Sequence, residues 1–305
     1  MNILVTGASG LVGSALAARL RGSGHRVTPL RRGAASADSG PAWDPESGQI
    51  HLDTAPPLDA VVHLAGETIA QRWTPAAKAR IRASRVDATR LLCDALARAP
   101  GPPRLLVCAS ATGYYGDRGD EVLDEQCPAG AGFLAEICQA WEAATASALD
   151  RGVRVVHLRF GLVLARQGGA LARMLPAFRL GLAGRLGSGR QYWSWIVLED
   201  LLRVIELALQ DGRLSGPVNT VAPEAVTNAR FTATLARVLH RPAFLAAPAF
   251  AVRTVLGEMG ENVLLASARV RPVRLLDAGF TFRFADLEQA LNCLVRIPPL
   301  NVKAS

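Results

Sequence analysis

The stretch TGASGLVG, residues 6–13, sets three glycines three apart, Gly7, Gly10 and Gly13, between an apolar run and a helix-forming pattern. Glycine is required where a backbone turns tightly, where it approaches a pyrophosphate and where helix meets strand. The helix N-terminus then offers free N–H groups and a positive dipole end to the phosphates. Here the glycines follow a predicted strand at 2–6 and open a predicted helix at 11–22, the context that makes such spacing informative. It predicts dinucleotide binding, with Thr6, Gly7, Ser9, Gly10, Leu11, Val12 and Gly13 around the pyrophosphate. The next predicted strand, 26–30, runs into Arg31 and Arg32, where an NAD enzyme would present a carboxylate to the ribose 2′-hydroxyl. The nearest carboxylate is Asp38. A guanidinium pairs bidentately with phosphate, so the two arginines predict NADP(H) as the cofactor.

Other chemistries are poorly supported. The five cysteines, Cys93, Cys108, Cys127, Cys138 and Cys293, form no C-x-x-C pair, and the five histidines show no ligand spacing. Neither a disulfide framework nor a metal site is indicated. The formal charge of +8 comes almost wholly from arginines spread along the chain, with no basic run and no interleaved aromatics. That distribution points away from nucleic acid and suits an anionic cofactor and substrate. No apolar run approaches the ~20 residues of a membrane span, and the N-terminus enters a strand without a signal-peptide layout. A cytoplasmic location is the default expectation, and a homodimer is compatible with the sequence.

The elements that must position these groups follow from periodicity. Short β-branched-rich runs at 2–6, 26–30, 60–64, 104–109 and 153–159 alternate with helical patterns at 11–22, 75–98 and 133–150. Such alternation predicts an α/β fold, a Rossmann-type doubly wound parallel sheet with helices on both faces. This part takes residues 1–168. Beyond it the pattern loosens into glycine-rich and proline-punctuated stretches, predicting a smaller C-terminal α/β substrate-covering domain over 169–305. The chain is expected to return to the sheet through about 196–221 and to close with FADLEQALNCLV as an amphipathic helix.

TGASGLVG with its following arginines, the HLAG of His63–Gly66 and the SATGYYG of Ser110–Gly116 together resemble the extended short-chain dehydrogenase/reductase superfamily. The segments WDPESGQ, LAGETI, FLAEICQAWE, RFGLVL, GSGRQYWSWI and NTVAPEAVTNARF are similar to one branch in particular, the atypical NADP-binding "epimerase family" proteins of unassigned substrate. The resemblance spans essentially the whole chain. It implies a Rossmann fold, the cofactor and a C-terminal substrate domain. It also implies that Leu64, Ala65, Gly66 and Glu67 line the adenosine and ribose side of the cofactor. His63 reads as a packed strand-end histidine, while Ser84 and Arg85, on the next helix, fit a surface role or a cofactor contact equally.

The resemblance fails at the catalytic set. Working members of the superfamily use a Tyr-x-x-x-Lys pair, whose tyrosine exchanges a proton while nicotinamide exchanges hydride. This chain has two lysines, Lys78 and Lys303, and three tyrosines, Tyr114, Tyr115 and Tyr192, and no lysine lies four beyond a tyrosine. In FLAEICQAWE the matching positions are Phe133 with Ile137, or Leu134 with Cys138. The partner hydroxyl, counted back from Tyr115, falls on Ala111. The remaining candidates for catalysis are Ser110 and Thr112, which flank it, Tyr114 with Arg118 four beyond, and Cys138, with Glu67 and Asp117 as candidate bases. The alternative is a catalytically idle NADP(H)-binding sensor or structural protein.

A substrate is expected against GSGRQYWSW, residues 187–195. Arg190 and Gln191 would supply polar contacts. Trp193 and Trp195, two apart, would share one face of a strand. Aromatic faces beside an arginine suit a ring-bearing or phosphorylated small molecule. The competing reading makes both tryptophans core anchors.

Overall fold

The protein was analysed as a computed structural model that describes residues 1–33 and 40–296. Asp38 and Lys303 lie outside the described residues. In chain order the strands are β1 (Asn2–Thr6), β2 (Arg26–Arg32), β3 (Ala42–Asp44), β4 (Gln49–His51), β5 (Ala60–His63), β6 (Leu105–Ala111), β7 (Val122–Leu123), β8 (Arg154–Phe160), β9 (Leu162–Leu164), β10 (Tyr192–Trp193), β11 (Trp195–Val197), β12 (Gly216–Thr220), β13 (Val226–Thr227) and β14 (Arg269–Val270). The α-helices are α1 (Leu11–Gly22), α2 (Pro75–Ala83), α3 (Val86–Arg98), α4 (Phe133–Ala143), α5 (Ala146–Asp150), α6 (Gly169–Arg179), α7 (Leu198–Gln210), α8 (Asn228–Leu239), α9 (Ala249–Met259), α10 (Val273–Asp277) and α11 (Leu287–Arg296).

Eight strands form one sheet in the order β12-β8-β6-β5-β1-β2-β3-β4, parallel throughout except for the last pair, β3 with β4. This is the doubly wound Rossmann-type α/β sheet, and its strand order reverses at β1, where the chain runs out to β2 and later returns to β5 on the other side. Side-chain alternation explains why the strands read as continuous apolar runs: both faces are covered. Ile3, Val5, Val62, Val107 and Leu158 pack against Leu16 and Leu20 of α1 and Leu201 and Ile205 of α7. Leu4, Val61, Leu106 and Val155 face Leu92 and Leu96 of α3 and Trp141 of α4. A further cluster gathers Leu171, Trp193, Trp195, Phe231, Leu235, Phe284 and Leu291.

Two long helical patterns break in the structure. The run 75–98 divides at Ser84 and Arg85, where the Ser84 hydroxyl donates to Ile81 O and accepts from the Glu67 N–H. The run 133–150 divides at Thr145, whose hydroxyl donates to Glu142 O. In both, a hydroxyl competes for the helix's own backbone, which apolar periodicity does not register.

Candidate functional site

The turn between β1 and α1 needs its glycines for three different reasons. Gly7 has φ +66°, and a Cβ there would lie 2.8 Å from the Leu64 carbonyl carbon. At Gly13 a Cβ would come within 2.1 Å of Gly7 O, so this glycine lets the helix lie against the turn. Gly10 is different. A Cβ there would meet only Gly7 O, at 3.3 Å, and the residue lines an open cleft of about 750 Å³. The room a side chain would take at Gly10 is therefore room for a ligand. Gly10 caps α1 without a side-chain hydrogen bond, and the helix's first turn carries no acidic residue. An uncapped, positively polarised helix end facing a cradle fits a pyrophosphate.

Beneath the turn lies a buried polar chain. Thr6 Oγ1 accepts from the backbone N–H groups of Leu64 (3.0 Å) and Ala65 (3.1 Å) and is 2.7 Å from His63 Nδ1. With both lone pairs taken, the Thr6 hydroxyl must donate to Nδ1. Nε2 then carries the proton and donates to Thr89 Oγ1 at 2.9 Å. Burial pushes the His63 pKa down to about 4, in keeping with that neutral tautomer. Thr6 and His63 thus pin the loop after β5 to the end of β1. Thr6 is buried under the turn as its support.

Ser9, Gly66, Glu67, Arg31 and Arg32 all line the cleft, together with Leu64, Ala65 and three groups that sequence reasoning missed, Ser14, Arg21 and Trp43. Ser14, Ala17 and Arg21 recur at three and four along α1, so that face was readable as the one turned to β2. Among the described lining residues there are three arginines and one carboxylate, Glu67, which accepts from Gln71 Nε2 at 3.1 Å. Trp43 stands edge-on to His63, with ring centroids 5.9 Å apart.

On the other side of β1, the candidate catalytic groups have different surroundings. Ser110 is buried and donates to Glu142 Oε1 at 2.7 Å. Glu142 in turn is forked by Arg159 Nε and Nη2, both at 2.8 Å. Arg159 also donates to the Tyr115 hydroxyl (3.0 Å), which lies 2.7 Å from Asn219 Oδ1, and its guanidinium stacks 3.4 Å from the Tyr114 ring centroid. Burial pushes Tyr115 up to about 12. The Ser110 hydroxyl and the Tyr114 ring therefore belong to a packed network, not to an open face. Arg118 forks Glu121 instead of serving Tyr114, and Asp117 accepts from the Gly119 and Ser267 backbones. Burial likewise pushes the Cys138 thiol up to about 12, which keeps it protonated and poorly nucleophilic. Thr112 and Tyr114 remain, both half-buried, and neither hydroxyl makes a hydrogen bond among the described residues.

The positions of α4 that match the superfamily's pair, Phe133 with Ile137 or Leu134 with Cys138, carry no acid–base group here. Gly113 lies against Leu134 and Cys138: a Cβ on it would sit 3.2 Å from Leu134 Cβ and 3.9 Å from the sulfur. Leu134 and Phe133 join Trp73, Ile81 and Ile137, with Met259 and Val263 packed alongside.

The segment 187–195 is mostly structural. Gln191 Nε2 donates to the carbonyls of Leu186 and Leu264, Trp193 Nε1 to Leu264 O and Trp195 Nε1 to Glu224 O. The tryptophans do not share a strand. Ser194 separates β10 from β11, its hydroxyl donating to Ala268 O and accepting from Val270 N–H. Both rings are buried as anchors, which corrects the expected stacking surface, and of the four expected substrate contacts only Arg190 is exposed. Among the described residues no group of three or more His, Cys, Asp or Glu could hold a metal, and no helix is long and apolar enough to cross a membrane.

Comparison with known proteins agrees with this arrangement. The model of the NAD dependent epimerase/dehydratase family matches residues 3–221, and a domain of unknown function, DUF1731, matches 247–294. An epimerase family protein of Mycobacterium leprae is 44% identical over 301 residues, covering 98% of this chain and 97% of its own. The crystal structure of the human epimerase family protein SDR39U1 with NADPH is similar at TM-score 0.87 and 35% identity, over 96% of this chain and 99% of that one. A nucleoside-diphosphate sugar epimerase structure from Corynebacterium glutamicum is similar at TM-score 0.78 and 36% identity, over 96% of this chain and 58% of that one.

Proposed function

The chain belongs to the NAD-dependent epimerase/dehydratase family, and on that premise we propose that it binds NADP(H) in the cleft bordered by β1, β2 and β5. It then serves a small molecule as an oxidoreductase or epimerase-like protein whose acid–base set is not Tyr-x-x-x-Lys. The observation that carries the reading is the cleft itself: a cradle over Gly10 at an uncapped helix end, with Arg31 and Arg32 at the end of β2. Arg31 and Arg32 pair with the 2′-phosphate, the N–H groups of Leu11, Val12 and Gly13 take the pyrophosphate, and Leu64–Glu67 follow the ribose. When bound, the nicotinamide gives or takes a hydride. Thr112 and Tyr114 are the candidate hydroxyls left to orient a reacting oxygen or hold its proton. The described residues beyond 168, outside 196–221, form the substrate-covering part, with Arg190 at its exposed rim, suited to a phosphorylated small molecule. The NADPH in the human relative and the sugar nucleotide named for the Corynebacterium one support this reading.

A second reading, a protein that holds NADP(H) without turning it over, is favoured by one observation: the Ser110 hydroxyl is engaged by Glu142 and the Cys138 thiol is buried. Native mass spectrometry of the purified protein should show a 2′-phosphorylated dinucleotide. Loss of NADPH fluorescence on mixing with sugar nucleotides or carbonyl compounds supports the enzyme. A tightly held dinucleotide with neither the cofactor nor any added compound altered, epimerisation included, supports the holder, and no dinucleotide binding at all defeats both.

A further inference from the structure

Arg85 stands at the N-terminal end of α3, next to a loop that lines the cleft. Its guanidinium lies beside the loop after β5, since a Cβ on Gly66 would be 3.4 Å from Arg85 Cζ. The same group sits 5.2 Å from the Trp141 ring centroid on α4, one turn beyond Cys138. It therefore fills the gap between the β5 loop and the helix on which the superfamily places its lysine. Of its donors, Nη1 reaches Ile81 O at 3.3 Å and Ser84 Oγ at 3.5 Å, while Nε and Nη2 make no hydrogen bond among the described residues. No carboxylate among the described residues lies within ion-pair distance of it. Burial lowers its pKa, against the pull of the nearby Glu67 carboxylate, which does not touch it. The neighbouring cation, Arg159, is engaged by Glu142.

Strand order decides what this cation can meet. With the 2′-phosphate end over β2 and the pyrophosphate over β1, a dinucleotide passes Leu64–Glu67 on its adenosine side and its second half extends past them toward the loop following β6. That half presents a ribose with two free hydroxyls and a carboxamide, neutral groups rich in acceptors. A planar guanidinium forks two neighbouring oxygens well and needs no anion to do so.

We propose that Arg85 is the positioning residue for the nicotinamide half of the cofactor, its free Nε and Nη2 donating to the ribose hydroxyls from the gap that Cys138 leaves on α4. The inference rests on the NADP(H) reading above. It makes α3 supply, across the cleft, the cation that α4 lacks, and Trp141 and Gly66 hold that cation in place.

The test is a pair of titrations on the full chain, with NADPH and with adenosine 2′,5′-bisphosphate, which keeps the phosphorylated adenosine end but has no nicotinamide ribose. Arg85→Met should weaken NADPH tenfold or more, a change of about 1.4 kcal/mol, and leave the bisphosphate within twofold. Intact bisphosphate binding doubles as evidence that the variant folds; if Arg85→Met does not fold, Arg85→Gln is read the same way. NADPH affinity unchanged, or both ligands weakened equally, overturns the assignment of Arg85 alone. A wild-type protein that binds neither ligand overturns the NADP(H) reading, and the Arg85 inference with it.

Discussion

The cleft's two halves are built on opposite principles. Over β1 and β2 the chain withdraws its side chains: Gly7, Gly10 and Gly13 leave bare backbone, the α1 end is uncapped, and the arginines stand exposed at the rim. Over β6 and α4 it fills the space, with Leu134 against Gly113 and Ser110, Glu142, Arg159 and Tyr115 bonded to one another. A surface that waits for a ligand leaves polar groups open, whereas one whose polar groups satisfy each other serves stability. The contrast teaches that cofactor capture and the proton-transfer apparatus are separable features of this fold. Here the first is complete, while the place of the second is taken largely by packing.

The sharpest break in that contrast would come at Glu142. If its network is structural, Glu142→Ala strands the buried Arg159 guanidinium and should destabilise the fold by about 3–5 kcal/mol, read by chemical denaturation. A loss of turnover at unchanged stability would move Glu142 into the chemistry instead. In the open half, Gly10→Val should weaken NADPH about 100-fold or more, roughly 2.7 kcal/mol, with the thermal midpoint retained, because the valine fills the cradle and little else. Normal affinity in that variant would mean that the glycine serves the turn alone.

A smaller and graded effect is expected from pH. The folded pKa of His63, about 4, lies below its ordinary value, so the neutral form is the one the fold favours. The associated stability is present above pH ~6.5 and drains as pH falls toward about 4. His157, also lowered by burial, adds in the same direction. Denaturation midpoints that fall through this window in the wild type, and less so in His63→Gln, would support the neutral His63 assigned above; identical slopes would contradict it. The smallest effect concerns Cys138, whose buried thiol should resist alkylation at neutral pH in the native protein. Rapid modification of Cys138 would reopen it as a reactive group.

How much of this was legible in the sequence depends on the range of the interactions. Five of the sheet's eight strands, β1, β2, β5, β6 and β8, and α1 follow from local periodicity and from glycines whose demands act over a few residues, and these emerged within a residue or two of expectation, whereas the short β3 and β4 were not read. The cleft's open half was legible for the same reason: Gly10 and Arg31 do their work by being what they are where they are. The filled half depends on partners far apart in the chain. Ser110 reads as a free hydroxyl until Glu142, 32 residues on, accepts from it. Trp193 and Trp195 read as a stacking face until Ser194 bonds to the 268–270 segment and breaks the strand. No pattern along one chain announces such pairings, and the same holds for Arg85, whose role depends on Gly66 and Trp141.

The central claim, that the open half is built for a 2′-phosphorylated dinucleotide, is tested most directly by titration calorimetry of NADPH and NADH against the wild-type protein and the Arg31→Ala, Arg32→Ala double variant. The account predicts that the wild type binds NADPH at least tenfold more tightly than NADH, about 1.4 kcal/mol or more, and that the double variant loses the difference by weakening on NADPH alone. Equal affinities in the wild type, or a preference that survives the removal of both arginines, would contradict it.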